Sequence, residues 1–227
     1  VPIVPAAVIF DLGLVSGTVR PTHAEGYKAC LKASACLVEE GSVGAGTGAT
    51  LGKALGMDQA IKAGIGTASL KLGDGIIVGA LVVVNAYGSL VDHIQGKLVA
   101  GPRNDSRNGF CDTVEFLLNG DQRMSSSLSG ANTTIGVIAT DARLTKEQAN
   151  FLAKLSHDGL ALTIRPCHTT RDGDTLFSMA TGTSETKADI TRIGAAAVEV
   201  VAMAVLRSVE QARGLGGIPS ISEYINA

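Results

Sequence analysis

The chain contains no tryptophan, and its aromatic residues amount to only 4% of the total. It also lacks an excess of either charge. Lys and Arg number 19 against 21 Asp and Glu, for a formal net charge of -2, and neither sign is gathered into a block. Without a basic patch there is no electrostatic footprint for nucleic acid or an anionic membrane, and neither is expected as a partner. The longest apolar run, Gly75 to Ala86, falls far short of the roughly 20 residues that span a bilayer. No basic leader with a small-residue cleavage site opens the chain, and a cytoplasmic location is expected. The four cysteines, Cys30, Cys36, Cys111 and Cys167, form no CxxC pair and have no histidine at finger spacing. That pattern gives neither a zinc site nor a redox motif, so no metal and no cofactor is expected, and the thiols should be reduced and mostly buried. An initiator Met is missing too. The chain opens at Val1-Pro2-Ile3-Val4 and reads as beginning part-way into a longer precursor.

What the sequence does have is apolar mass and glycine. With 227 residues, 45% of them apolar, it can fill one sizeable core. Its 28 glycines, against an average usage of about 7%, suit close backbone approach and many turns. Ala6 to Phe10, between Pro5 and the Asp11-Leu12-Gly13 turn, reads as a buried strand. His23 to Glu40 reads as a helix lying on a sheet, apolar at Ala29, Cys30, Ala33 and Leu37 and ended by Gly41. Ile76 to Asn85 and Leu98 to Ala100 read as strands flanking an Asp92 to Gly96 turn.

From Gly101 to Ala131 polar and small residues dominate, with only Val114 to Leu118 able to pack. This is a surface connection about twice the ~12–15 residues at which structureless loops become uncommon and often functional. Thr133 to Thr140 is a β-branched run and reads as a strand. Thr145 with Gln148 forms a capping box opening a helix that buries Ala149, Leu152, Ala153 and Leu155. Leu160 to Arg165 and Thr175 to Ala180 read as two strands, with Asp172-Gly173-Asp174 as a turn between them. Lys187 to Arg213 is a helix with Ile190, Ile193, Ala197, Val201, Ala204 and Val205 on one face, terminated by Gly214. Strands and helices alternate irregularly, so the fold class is α/β, a layered sandwich with helices covering sheets on both sides.

The most informative segment is Ser129 to Asp141, in which a small-residue linker delivers Asn132 and a hydroxyl residue then starts a strand. Local sequence leaves two readings open. One is a turn followed by β-branched residues. The other is a self-cleaving junction: the Thr133 hydroxyl attacks the carbonyl before it, water hydrolyses the resulting ester, and the freed α-amine lies beside the hydroxyl. An α-amine with a pKa of ~7.7–8.0 is partly neutral at pH 7 and can serve as general base to that hydroxyl.

Asn132-Thr133-Thr134-Ile135 through Ala139-Thr140-Asp141-Ala142, followed by the capped helix and by Arg165-Pro166-Cys167-His168-Thr169-Thr170-Arg171-Asp172-Gly173-Asp174-Thr175-Leu176-Phe177, carries a family resemblance. The chain resembles the L-aminopeptidase/D-alanine esterases, β-aminopeptidases and nylon-oligomer (aminohexanoate-oligomer) hydrolases, over Val8 to about Arg213. The resemblance implies an αββα-like fold of N-terminal-nucleophile type lacking its N-terminal portion. It implies an α-subunit part at residues 1–132 and a β-subunit part at 133–227, together one structural domain. It further implies autoproteolysis at Asn132-Thr133, with Thr133 as nucleophile, a small peptide or amide as substrate, and a homo-oligomer of αβ units.

The family pattern also falls on Lys53 as a cation near the nucleophile, on Asn85 as an oxyanion-hole amide, and on Asp172 and Asp174 as an acidic pair beside the new N-terminus. Of that pair, Asp172 is expected nearer the nucleophile and Asp174 in a supporting role. Phe10 stands where the nylon-oligomer hydrolases have Tyr, which removes a hydroxyl donor.

Plainer roles exist for each residue. Lys53 could be a solvated helix residue, Asn85-Ala86-Tyr87-Gly88 a turn, Asp172-Gly173-Asp174 a hairpin, and His168 a hydrogen-bonded structural histidine. The Gly44 to Lys53 stretch is no P-loop, because Thr47 and Ala54 stand where Gly and a hydroxyl are required. Nor does it follow a strand, as a dinucleotide fingerprint must. Two alternatives to the hydrolase stay open: an acyltransferase of ornithine-acetyltransferase type, and a non-processed inactive homologue.

Overall fold

The β-branched run from Thr133 to Thr140 forms a strand buried at every second residue, and the main sheet is built around it. A computed structural model describes residues 4–106, 108–120 and 132–226. The strands are β1 (Thr50–Leu51), β2 (Ile61–Lys62), β3 (Ile65–Lys71), β4 (Ile77–Asn85), β5 (Ser89–Asp92), β6 (Lys97–Ala100), β7 (Thr133–Thr140), β8 (Ile164–Arg165) and β9 (Thr175–Ala180). The helices are α1 (His23–Leu31), α2 (Thr113–Asn119), α3 (Lys146–Thr163), α4 (Ile190–Glu210) and α5 (Ile221–Ile225).

Four strands form the main sheet in the order β3-β4-β7-β9. β4 runs antiparallel to both β3 and β7, while β9 lies parallel to β7. The long α3 and α4 lie together over one face of this sheet and enclose Val78, Ala80, Val82, Val84, Ile138, Leu152, Ile193, Val201 and Val205 in a single apolar core. Gly159 is required where α3 meets α4, because a Cβ there would stand 2.5 Å from the carbonyl oxygen of Val198. The opposite face carries a smaller cluster, with Ala49, Ile65 and Val83 buried and Ile9, Leu81 and Ile135 partly so. Smaller sheets β6-β5-β8 and β1-β2 complete the framework.

The expected strand over Thr133 to Thr140, the capping box of Thr145 and Gln148, and the inner face of α4 all appear at the expected residues. Several local readings are corrected. Ala6 to Phe10 pairs with no strand among the described residues, and Val8 and Phe10 are largely exposed. The helix expected to reach Glu40 stops at Leu31 with no buried residue, and Leu37 is fully exposed. Its apolar positions are mostly small, so it has no stripe worth burying, and packing rather than propensity sustains most helices.

Leu160 belongs to the last turn of α3 rather than to a strand, because packing on α4 continues the helix to Thr163 and leaves only Ile164–Arg165 extended. β3 has no counterpart in the sequence reading, since the residues alternating with Thr67, Ser69 and Lys71 include the small Gly66 and Ala68 and give only a weak apolar signal. The cysteines are free as expected but not mostly buried: Cys30 and Cys36 are exposed, and Cys111 and Cys167 are half-buried.

Of the connection expected from Gly101 to Ala131, Val114 to Leu118 falls in α2, capped by the Asp112 side chain. Residues 121–131 lie outside the described residues, and so does the Ser129-Gly130-Ala131 part of the linker. No helix among the described residues is long and apolar enough to cross a membrane.

Candidate active site

The register of β4 against β7 sets Asn85 directly opposite Thr133. Cross-strand partners project to the same face, and here that is the face turned away from α3 and α4. The Thr133 hydroxyl donates to the carbonyl oxygen of Asn132 at 2.6 Å. That same oxygen accepts the backbone N–H of Gly173 at 2.8 Å. One carbonyl is therefore polarised by a hydroxyl from its own chain and by an amide from the loop before β9. A Cβ at position 173 would come within 3.0 Å of the Thr133 hydroxyl oxygen, which explains why glycine stands there.

Lys53 reaches the pair from the far side. Its side chain is 2% exposed, and Nζ donates to Asn85 Oδ1 at 2.7 Å and to the Asn85 carbonyl at 3.2 Å. Asn85 Oδ1 also accepts from the backbone N–H and hydroxyl of Thr50, so both donors of that residue hold the amide in one orientation. Its Nδ2 is left to point towards the carbonyl of Phe10 at 3.4 Å. Burial pushes the Lys53 ammonium down to about 7, with Lys62 adding to the fall and Asp172 opposing it. Lys53 is thus a buried group and not a solvated helix residue. A cavity of about 70 Å³ beside it is walled by Phe10, Asp11, Leu14, Thr50 and Met57.

The Asp172-Gly173-Asp174 turn wraps the start of β7. Asp172 bridges to Asn132 in parallel, and its carboxylate accepts from the Tyr87 N–H at 3.3 Å and from Thr169 through both N–H (3.1 Å) and hydroxyl (2.5 Å). Burial raises its pKa, against the lowering effect of the Thr169 hydroxyl. Asp174 Oδ1 accepts the Thr134 N–H at 2.8 Å, and Oδ2 accepts from His168. The Asp174 carboxylate therefore holds the residue after Thr133, while the Asp172 backbone runs beside the residue before it.

Nearby Cys167 is no rival nucleophile, because burial first, then Asp174 and Asp172, push its thiol up to about 11. Among the described residues no three His, Cys, Asp or Glu side chains are grouped as a metal site.

All the residues singled out from the sequence, Asn132, Thr133, Lys53, Asn85, Asp172 and Asp174, converge on this one place. The description of peptidase family S58 matches residues 1–220. The chain belongs to peptidase family S58.

Among S58-like relatives, an uncharacterized aminopeptidase of Mycobacterium leprae is 42% identical, over 97% of this chain and 64% of that protein. A 6-aminohexanoate-oligomer endohydrolase of Paenarthrobacter ureafaciens is 33% identical, over 91% of this chain and 61% of the relative. The chain thus spans less than two thirds of the length of these relatives. In fold it is similar to a Burkholderia sp. beta-aminopeptidase, with a TM-score of 0.61 at 23% identity over 94% of this chain and 61% of that one. It is also similar to the L-aminopeptidase D-Ala-esterase/amidase of Ochrobactrum anthropi, described as a variant of the Ntn-hydrolase fold, with a TM-score of 0.57 at 23% identity over 87% of this chain and 52% of that one. This S58 chain therefore shares its α/β fold with these solved structures.

Sequence reasoning missed three contributors to the site: the Gly173 amide, Thr50, and Lys62, whose ammonium is capped by the carbonyls of Ala49 (2.5 Å), Ala63 (3.0 Å) and Gly46 (3.5 Å). A backbone amide and a threonine in a two-residue strand leave no signal in sequence. Lys62, a lone charge in Ala60-Ile61-Lys62-Ala63, does leave one.

Proposed function

We propose that this chain is the nucleophile-bearing part of a self-processing hydrolase that cleaves amide bonds of small peptides or amide oligomers, with Thr133 as nucleophile. The observation that carries the reading is the Asn132 carbonyl, met at 2.6 Å by the Thr133 hydroxyl and at 2.8 Å by the Gly173 N–H. In maturation the hydroxyl oxygen adds to the Asn132 carbonyl carbon and its proton passes to a base. The carbon–nitrogen bond then breaks, and the Thr133 nitrogen leaves as an amine. Water hydrolyses the ester, giving an Asn132 carboxylate and restoring the hydroxyl. Residues 1–132 and 133–227 become the two subunits of one domain.

The freed α-amine then acts as general base for the adjacent hydroxyl on an incoming amide, because its pKa of ~7.7–8.0 leaves it partly neutral near pH 7. Lys53 and Asn85 stabilise negative charge developing on the substrate oxygen, and a buried cation does so more strongly than one in water. Asp172 and Asp174 hold the new N-terminus in place. Relatives named aminopeptidase and 6-aminohexanoate-oligomer endohydrolase support an amide substrate for this chain. Homo-oligomerisation of αβ units and a cytoplasmic location complete the proposal.

The test is intact mass under denaturing conditions. Wild type is expected to yield fragments of 132 and 95 residues at neutral pH. Thr133→Ala should stay whole and inactive, while Thr134→Ala should still cut. A whole wild-type chain after long incubation counts for the non-processed homologue, and transfer of the acyl group to an added amine in preference to water counts for the acyltransferase.

A further inference from the structure

Asp174 is the residue through which the solvent side of the molecule reaches the start of β7. Its carboxylate is 3% exposed. One oxygen takes the Thr134 N–H at 2.8 Å. The other takes two donors from a single residue, the backbone N–H of His168 at 3.2 Å and its ring Nδ1 at 2.8 Å. The opposite ring nitrogen, Nε2, lies 3.3 Å from Nδ1 of His157 in α3, with the ring centroids 4.8 Å apart. The two rings line an open groove of about 580 Å³ together with Lys154, Thr169, Gly173 and Thr175.

His168 holds this position at φ +54°, the only non-glycine residue with a positive φ among the described residues. Such a conformation is uncommon for an L-residue, and it persists where surrounding contacts over-determine it.

The chemistry fixes the protons. A carboxylate only accepts, so Nδ1 of His168 must carry the hydrogen that faces Asp174. A neutral His168 then has Nε2 as an acceptor, and His157 must present Nδ1–H to it. If Nε2 of His168 is protonated instead, His157 must accept. The contact survives with one proton between the rings and is lost with two, so the pair holds at most one extra charge. The charged groups facing it are Lys154 and Asp158 on α3 and Asp172 and Asp174 on the loop.

We propose that His168 is a positioning residue for Thr133: by donating Nδ1–H to Asp174 it fixes the Thr134 amide, and with it holds the Thr133 hydroxyl against the Asn132 carbonyl. This rests on the reading of Thr133 as nucleophile. Self-cleavage is the suitable readout because it is intramolecular and needs no substrate.

The experiment compares His168→Asn, His168→Gly and His168→Gln with wild type and Thr133→Ala, following uncut chain by intact mass from fresh translation over hours at pH 7, with melting temperature measured on each. Asn places its amide nitrogen where Nδ1 stands and tolerates positive φ; Gly tolerates that φ but donates nothing; Gln carries its amide to the position of Nε2. His168→Gly is expected to slow cleavage about 10- to 100-fold, in the range that misplacing a reacting group costs. His168→Asn should remain within about threefold of wild type, and His168→Gln should behave like Gly.

Cleavage by His168→Gly at the wild-type rate overturns the proposal, as does a His168→Asn chain that folds and is as slow as Gly. Rates that merely track melting temperature across the three variants also overturn it. If His168→Gly does not fold, the Asn and Gln pair decides alone. If Thr133→Ala still cuts, the nucleophile reading fails instead, whatever His168 does.

Discussion

Replacing Lys53 with Met separates catalysis from folding more cleanly than any other single change at this site. The side chain is 2% exposed, and burial takes its pKa from 10.5 to about 7. That displacement corresponds to about 5 kcal/mol of disfavour for the charged form. Below pH 7 the folded and unfolded chains both carry the proton, and the wild type bears the whole cost. Between about 7 and 10.5 the unfolded chain binds more protons than the folded one, so wild-type stability rises with pH through that window.

Met keeps an unbranched chain one atom shorter and discards the charge, so K53M should be at least as stable as wild type at pH 6. Its advantage should shrink to nothing by pH 10.5, where the wild-type lysine is neutral in both states. Asn85 Oδ1 keeps the two donors of Thr50, which limits the polar loss. Turnover should move the other way, because removing one preorganised electrostatic group costs ~10²–10³ in rate. Urea melts at pH 6 and 9, run beside amide hydrolysis by the cut protein, read both effects. A K53M protein that is cut correctly and keeps most of its activity refutes the assignment, and so does a loss of stability at pH 6 large enough to explain the lost activity.

The loop before β9 gives three further expectations. Gly173→Ala brings a Cβ to 3.0 Å from the Thr133 hydroxyl oxygen and 3.7 Å from the Asn132 carbonyl oxygen, so cleavage should slow by about an order of magnitude with circular dichroism unchanged; cutting at the wild-type rate would contradict a crowded nucleophile. Asp172→Asn removes the charge that raises the Lys53 pKa, so the pH midpoint assigned to Lys53 should move below 7, and a midpoint that stays or rises would dissociate the two residues. Asp174→Asn weakens the holds on Thr134 and His168, and should slow self-cleavage with a fall in melting temperature, both read on the same sample by mass and calorimetry. Asn85→Ala removes the amide opposite Thr133 and should lower turnover in a folded protein, with steady-state kinetics on cut material as the check.

Where one element's own residues specify it, the sequence was legible. Thr133 to Thr140 is rich in β-branched residues, Thr145 and Gln148 cap each other, and α4 carries an unbroken apolar face, so local propensity, periodicity and capping chemistry were enough to locate β7, α3 and α4. Local sequence left the Asn132-Thr133 junction as one of two open readings, and the other site residues were singled out only through family resemblance. Asn85, Lys53 and Asp174 are far apart in the chain, and nothing in their neighbourhoods states that they meet. What brings them together is long-range: the register that pairs Asn85 with Thr133, the burial that turns Lys53 inward onto Asn85, and the parallel approach of β9 that lays the Gly173 amide on the Asn132 carbonyl. The errors share that origin. Ala6 to Phe10 has the composition of a strand but finds no partner among the described residues, His23 to Glu40 has helical spacing but no apolar surface worth burying, and Leu160 to Thr163, an apolar run too short to show its period, continues α3 where it packs on α4. Periodicity and capping are properties of neighbouring residues and can be read along the chain, whereas a carbonyl polarised by a distant amide and a lysine dehydrated by distant walls exist only once the chain has folded.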